Sequence, residues 1–263
     1  MAAKIIKYRG NIYILEASVA YRRELERVLA LVSSTQAGQT LFRHINAKPN
    51  YMLLQPYDPK KEDDPVNAYE LPRSEADGAP AGYVVDSTEI NLPFGAKVNF
   101  PTSIGTGKGT IVDVHYHPAT WREVNKRAGH IAPGDGPGEV LFHEMTHGLR
   151  ELAGQMKYKD QVVGEVQMDS VEEFYSIMAA NVYRSERGFK LLRADHWGSK
   201  KITGNLVYQS AYYEHYQQYI DKWFNEQRAF CLDMARVPAK FNPFREAAVA
   251  LKMMTGSAVG MTL

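Results

Sequence analysis

The segment that most constrains the fold of this 263-residue chain is GPGEVLFHEMTHGLRELAG, at positions 136–154. Proline is favoured in the first turn of a helix and glycine just after the last turn. Pro137 and Gly154 therefore bound a predicted helix that ends at about Ala153. Apolar residues recur along it at helical spacing, which predicts that the helix packs into the core. The core must then accommodate the two histidines and the glutamate of HEMTH, which need partners when they are buried.

His143, Glu144 and His147 form the pattern HExxH. Residues four apart lie on one face of a helix, so both imidazoles can bind one metal ion at about 2.0–2.1 Å. Glu144 is turned roughly 100° away, where it can take a proton from a water bound to that ion. With 8 histidines and 30 acidic residues in the chain, chance produces the pattern in about 3% of such sequences at most. The motif therefore predicts a zinc site with a general base.

A catalytic zinc needs a third protein ligand and an open fourth position. The pattern HExxHxxGxxH would supply a third histidine, but Arg150 replaces its glycine and Ala153 replaces its final histidine. The third ligand is therefore expected from an acidic residue further along the chain. Four residues are candidates: Glu165, Asp169, Glu172 and Glu173.

Two of these candidates, Glu172 and Glu173, begin the otherwise apolar segment VEEFYSIMAANVY, within a helix predicted over residues 170–186. A carboxylate in a buried helix is costly unless it is compensated, and a zinc ion would compensate it. Both glutamates also match capping boxes, one with Ser170 and the other with Asp169. Spacing alone therefore leaves both glutamates open as the ligand.

HEMTHG, followed about 25 residues later by EEFYSIMAANVYRSERG, resembles the gluzincin-type zinc metallopeptidases of bacterial secreted effectors. The likeness is greatest to metallopeptidase toxin domains fused to type VI secretion spike proteins, and it is specific over about residues 136–198. A glutamate directly before two aromatic residues also occurs in the catalytic domain of anthrax lethal factor, where it is the zinc ligand. The resemblance thus implies Glu173 as third ligand and Glu172 as second choice. Ile177 departs from lethal factor, which has a second glutamate there.

The resemblance implies a zinc-dependent endopeptidase that acts on a protein or peptide substrate. One Zn²⁺ per chain is expected on His143, His147 and Glu173, with water in the fourth position and Glu144 as the base. The resemblance also implies an effector made in the bacterial cytoplasm without a Sec signal and delivered to a target cell by a specialised secretion system. Its expected partners are the secretion machinery or an immunity protein.

A peptidase also needs a group that stabilises the oxyanion formed on the attacked carbonyl. His196, in ADHWG, is the first candidate and Tyr183 the second. Two other functions stay open: a zinc-binding toxin or interaction module without peptidase activity, and a zinc amidase that acts on cell-wall peptide. The glutamate of an intact HExxH has no use in a purely structural site, which favours an enzyme.

Two further segments contain residues typical of binding sites. His115 and His117 share one face of an alternating strand, TIVDVHYH, with Asp113; exposure to solvent beside the cleft is the preferred interpretation. GTGKGT, at 105–110, lacks the first glycine and the final Ser or Thr of a phosphate-binding loop, so it is interpreted as a turn.

Composition excludes several classes of protein. The net charge is +1, so neither nucleic acid nor an anionic membrane surface is expected as a partner. A single cysteine, Cys231, excludes an intrachain disulfide and a thiolate-only zinc site. No stretch of 18 consecutive apolar residues is present, so no membrane span is expected, and the N-terminus lacks the apolar block of a secretory signal.

The overall pattern predicts an α+β, zincin-like fold: a small twisted sheet, the HExxH helix and a second ligand-bearing helix. We interpret residues 1–263 as a single domain, with 1–55 as an N-terminal subdomain and the proline- and charge-rich 56–82 as an exposed loop or linker. The other predicted elements are a hairpin at 4–16, helices after Ser18 and at 36–46, strands at 51–54, 83–91 and 109–117, and a long aromatic-striped helix at about 205–235.

Overall fold

The computed structural model describes residues 4–57, 69–72, 83–91, 97–119, 136–156, 168, 170–195, 201–202 and 209–253. The strands are β1 (Lys4–Arg9), β2 (Ile12–Glu16), β3 (Met52–Gln55), β4 (Tyr69–Pro72), β5 (Tyr83–Asn91), β6 (Lys97–Gly105) and β7 (Val112–His115). The helices are α1 (Val19–Ser33), α2 (Gln36–Asn46), α3 (Pro137–Leu152), α4 (Val171–Glu186), α5 (Gln209–Glu226), α6 (Arg228–Ala235) and α7 (Pro243–Ala250). The predicted α+β class is confirmed.

A five-stranded mixed sheet has the order β1-β2-β3-β7-β4. β1 and β2 form the predicted antiparallel hairpin, β2, β3 and β7 run parallel to one another, and β4 pairs antiparallel to β7. β5 and β6 form a separate antiparallel pair. Strands from the first 55 residues and from the centre of the chain therefore share one sheet.

β4 lies within the segment 56–82, for which the sequence predicts only loop or linker. That prediction is wrong for Tyr69–Pro72, which pair with Val112–His115. Proline has no amide hydrogen for a ladder, and it is tolerated in strands at the edge of a sheet, which is where β4 lies. This strand pairs with residues 40 to 46 positions further along the chain, so local composition did not reveal it.

The first two helices begin at residues that cap them, as predicted for Ser18. The hydroxyl of Ser18 accepts a hydrogen bond of 3.0 Å from the amide of Tyr21, and the hydroxyl of Thr35 accepts one of 3.0 Å from Gly38. Each cap satisfies an amide that has no partner within its helix. Both helices pack against α3. No described helix is both long and apolar enough to cross a membrane.

α3 lies in the core, and its residues from Gly138 to Leu152 are all buried. It contacts the sheet closely at Gly148, where an added Cβ would lie 2.6 Å from Met52 Cε and 3.3 Å from Val112 Cγ1. Glycine therefore lets the helix axis approach strands β3 and β7. The bounds agree with the predicted helix to one residue.

One long helix is predicted over 205–235, and over the described residues 209–235 that prediction is wrong. α5 ends at Glu226 and α6 begins at Arg228, because Gln227 adopts φ −134° and ψ 51°, outside the helical region. Its side-chain oxygen accepts a 3.0 Å hydrogen bond from the indole of Trp223, which stabilises the break. The predicted aromatic stripe is buried in the core on both sides of this break.

The segment GTGKGT contacts the end of α3 instead of forming a phosphate site. The amide of Gly105 donates to Met156 O at 2.9 Å, and the amide of Gly107 donates to Gly154 O at 2.8 Å. Gly109 adopts φ +71°, and a Cβ there would lie 2.0 Å from the carbonyl oxygen of Leu152. The turn predicted at 105–110 thus fixes the C-terminal end of the HExxH helix.

Gly109→Ala should lower the free energy of unfolding by about 3 kcal/mol, because it adds left-handed strain and overlap with a backbone oxygen. Gly107→Ala is the matched control, since Gly107 also has positive φ (+85°) but no atom within 4 Å of an added Cβ. It should cost only about 1–2 kcal/mol of strain. Urea unfolding measures both variants, and equal destabilisation would show that the contact with α3 has no energetic role.

Candidate metal centre

Two antiparallel helices, α3 and α4, form the candidate site. Near the start of α3, Glu139 pairs with Arg184 close to the end of α4. Near the end of α3, Arg150 pairs with Glu172 at the start of α4. The two histidines of HEMTH lie between these ion pairs. The packing of the helices therefore brings the first turn of α4 against the middle of α3.

His143, His147 and Glu173 converge at this contact. The Nε2 atoms of the two imidazoles lie 3.1 Å apart. One carboxylate oxygen of Glu173 lies 3.2 Å from His143 Nε2, and the other lies 3.3 Å from His147 Nε2. Among the described residues, these three form the one group of three or more His, Cys, Asp or Glu side chains whose ligand atoms all lie within 4.8 Å of one another.

The donor set fits a zinc ion. Two ligands bound to tetrahedral zinc at about 2.0–2.1 Å lie about 3.3 Å from each other, close to the separations found here. Two imidazoles and one carboxylate are also a ligand set of catalytic zinc sites. Both histidines are buried, while the Glu173 side chain keeps 19% of its exposure, so the group opens toward solvent on the glutamate side.

The protonation states also suit metal binding. Burial lowers the pKa of His143 to about 3, although the neighbouring carboxylate of Glu173 opposes that shift. For Glu173, burial raises the pKa, but the two imidazoles lower it more, so the pKa lies well below its ordinary value. A neutral imidazole and an ionised carboxylate are the forms that bind metal.

The two glutamates that the sequence could not separate lie in different environments. Glu172 is held by the buried guanidinium of Arg150 and is directed away from the imidazoles. The amide of Glu173 donates to the Ser170 hydroxyl at 3.1 Å, while its carboxylate contacts the histidines. Ser170 therefore caps α4 and Glu173 remains available as a ligand. Glu165 and Asp169 lie outside the described residues.

Arg193 is a buried cation near the site, and sequence reasoning missed it. Its amide donates to Asn181 Oδ1 and its carbonyl accepts from Asn181 Nδ2, both at 2.9 Å, so its main chain is held against α4. Its charge acts on His143, Glu173 and Glu144. Burial lowers the pKa of Arg193, and the carboxylates of Glu139 and Glu173 oppose this. A lone arginine in the run KLLRA was the available signal.

Of the two residues predicted to stabilise the oxyanion, the structure describes Tyr183 only. Tyr183 stacks on Phe142 with a centroid distance of 4.9 Å, and its hydroxyl accepts a 3.1 Å hydrogen bond from Arg187. It lies ten residues after Glu173, about 15 Å along the helix axis, so the structure does not bring it to the imidazoles. His196 lies outside the described residues and stays a prediction.

His115 and His117 flank the sheet and do not join the candidate metal group. Gln55 Nε2 and His115 Nε2 lie 3.0 Å apart, and the ring of His117 packs against Tyr21 at 5.6 Å. Both histidines are half-buried, because side chains from α1 and β3 cover part of each ring, so they are less exposed than expected. The predicted alternation is confirmed, since Val112 and Val114 on the other face are buried.

His143→Gln should reduce the pH dependence of stability in the metal-free protein. The pKa of His143 is about 6.5 in the unfolded chain and about 3 in the folded protein. Between pH 6.5 and pH 3 the unfolded chain therefore binds one more proton than the folded protein. The free energy of unfolding then decreases as the pH falls through this range. Between pH 6 and 5, the wild type should lose up to about 1.4 kcal/mol more than the variant. Urea unfolding with chelator measures this. His215→Gln, which changes an exposed histidine, is the control and should keep the pH dependence of the wild type. If His143→Gln also kept that pH dependence, the lowered pKa would not belong to His143.

Comparison with known proteins finds solved structures that are similar to this chain at low identity. No protein-family model matches the chain, and no curated protein sequence matches it. Among solved structures, it is similar to the light chain of Clostridium botulinum neurotoxin serotype F, with 12% identity and a TM-score of 0.39 over 85% of this chain and 78% of that one. The light chain of botulinum neurotoxin serotype HA is also similar, with 12% identity and a TM-score of 0.38 over 94% of this chain and 66% of that one. Likeness at this level carries no argument about function, which therefore rests on the geometry of the site.

Proposed function

We propose that the protein is a zinc-dependent metallopeptidase. The observation that supports this best is the convergence of His143, His147 and Glu173, whose donor atoms lie 3.1, 3.2 and 3.3 Å apart between two buried helices. These three side chains would hold one Zn²⁺. When bound, the ion supplies Lewis acidity, which lowers the pKa of water and polarises a carbonyl group.

Glu144 is the proposed general base. It follows His143 on the same helix and is 5% exposed, so it lies in a largely water-excluded part of the site. Its carboxylate accepts a proton from the attacking water and later donates it to the leaving amine, which is how one residue serves both halves of amide hydrolysis. The position next to a ligand in sequence, but turned about 100° from it, suits this role.

Arg193 is the proposed partner for negative charge that develops on the attacked carbonyl. Its guanidinium is buried, and its charge acts on His143, Glu144 and Glu173. A fixed positive charge in a low-dielectric site stabilises an oxyanion more than it would in water. Asn181 binds the main chain of Arg193, and Nη1 of its side chain lies 3.9 Å from Glu139 Oε1, so the guanidinium is held in place beside the site.

An enzyme accounts for the site better than a structural zinc centre does. Structural sites are usually closed by four protein ligands, and the described residues here supply three. The partly exposed Glu173 also leaves one side of the group accessible to a substrate. A protein or peptide is the proposed substrate. Delivery as a secreted effector, and an immunity protein as partner, are proposals that rest on the sequence resemblance alone.

Glu144→Gln should retain one equivalent of zinc and lose about 10²–10⁴-fold in peptide hydrolysis, because it removes the base and leaves the ligands. The measurement combines metal analysis with digestion of casein or a peptide library. Glu151→Gln, a buried glutamate on the same helix two turns later, is the matched control and should remain active. Unaltered hydrolysis in zinc-loaded Glu144→Gln would refute the role of Glu144.

Arg193→Met should lower kcat about 10²-fold and change KM much less, because the charge is needed chiefly in the transition state. Arg193→Lys keeps the charge and should recover part of the loss, although it lacks the planar guanidinium. Steady-state kinetics on a cleaved peptide separates the two constants. A methionine variant with wild-type kcat would exclude this role.

A further inference from the structure

A second cluster of buried charge lies directly beside the candidate metal group. Arg150 is 1% exposed and Glu172 is 2% exposed. The guanidinium donates to both oxygens of the Glu172 carboxylate, from Nε to Oε2 and from a terminal nitrogen to Oε1 at 2.9 Å. That terminal nitrogen also lies 2.8 Å from Glu226 Oε2 and 3.1 Å from the carbonyl oxygen of Gln155. A two-point contact of this kind fixes orientation as well as distance.

Aromatic rings enclose the same guanidinium. Its carbon atom lies 4.6 Å from the ring centre of Tyr175 and 5.8 Å from that of Trp223. The two rings stack on each other with a centroid distance of 4.7 Å. Burial alone would lower the pKa of Arg150, but the carboxylates of Glu172 and Glu226 raise it above its ordinary value. Arg150 is therefore held in one position by its partners on α4 and α5.

The cluster spans the same two helices as the metal group and is adjacent to it in sequence on both. Arg150 follows His147 by three residues on α3, and Glu172 immediately precedes Glu173 on α4. Because Arg150 fixes the Glu172 carboxylate, the next residue, Glu173, projects from the helix about 100° further around its axis. In this structure that rotation directs Glu173 toward the two imidazoles.

We propose that Arg150 and Glu172 are positioning residues, which hold Glu173 in register with His143 and His147 and thereby set the affinity for metal. This inference rests on the proposed metal site. It also explains why arginine occupies position 150, where the pattern HExxHxxGxxH has glycine. In that pattern the glycine precedes a third histidine on the same stretch of chain. Here the residue at that position instead binds the helix that supplies the third ligand.

The competing explanation is that the cluster only stabilises the fold. Glu172 and Glu226 distinguish the two explanations, because both accept from the same terminal nitrogen of Arg150. Glu172 neighbours a proposed ligand, whereas Glu226 lies at the end of α5, which carries no proposed ligand. A purely structural cluster would make the two carboxylates similar in their effect on metal binding.

The test compares Glu172→Gln with Glu226→Gln in the full chain. We expect Glu172→Gln to weaken zinc binding about 10–100-fold, the range found for residues that orient metal ligands, and Glu226→Gln to weaken it less than about threefold. Competition with a chromophoric chelator gives the Kd for zinc. The visible spectrum of the Co²⁺-substituted protein is the second readout, and it should change in Glu172→Gln only, because it reports ligand geometry. Equal effects of the two variants, or wild-type affinity in Glu172→Gln, would overturn the proposal.

Arg150→Lys covers the case in which Glu172→Gln does not fold. It retains the buried charge but loses the two-point contact, so zinc affinity should fall about tenfold while circular dichroism stays that of the folded protein. Unchanged affinity in this variant would also overturn the proposal.

Measurements on the wild type distinguish failure of this inference from failure of the proposed function on which it rests. If the wild type binds no zinc, both fail; if it binds zinc and hydrolyses peptide while the two glutamine variants agree, only the positioning role fails.

Discussion

The antiparallel packing of α3 against α4 is the interaction on which the candidate site depends. Neither helix carries a complete set of metal-binding groups, since α3 supplies two imidazoles and α4 supplies one carboxylate. The sheet supports this pair from one side, where Gly148 allows α3 to approach β3 and β7. α5 supports it near Arg150 through Glu226. The scaffold therefore serves to fix one helix relative to another.

Buried charge makes the register of the two helices specific. Apolar side chains would tolerate a shift of one turn, because one hydrophobic contact can replace another at modest cost. An ion pair does not tolerate it, since a shift leaves two charges buried without partners, at several kcal/mol. The pairs of Glu139 with Arg184 and of Arg150 with Glu172 lie on either side of the imidazoles. Because desolvation offsets much of the attraction within a buried ion pair, we infer that these two pairs act chiefly by disfavouring alignments in which Glu173 would miss the histidines.

The sequence predicted the bounds of α3 and α4 well, because caps, glycines and apolar spacing are local signals. The choice between Glu172 and Glu173 was not local, since both match capping boxes and the orientation of α4 depends on Arg150, 22 residues from Glu172. The break between α5 and α6 depends on a side-chain bond from Trp223 to Gln227 within an otherwise helical pattern. Arg193 is held against α4 by Asn181, which binds its main chain, a contact that no periodicity reports. The predictions thus failed where a tertiary partner overrode a local preference.

The convergence of the three donors follows from the packing of α3 against α4. The two imidazoles favour an ionised Glu173 and burial favours a neutral His143, so both groups have the protonation states that bind metal. The separations of 3.1, 3.2 and 3.3 Å that result are close to those of ligands around one tetrahedral ion. Binding a cation there needs little movement of the backbone, and a preorganised site loses less free energy to ordering. The cost of gathering these groups is offset by helix packing, so the fold itself arranges the proposed ligands.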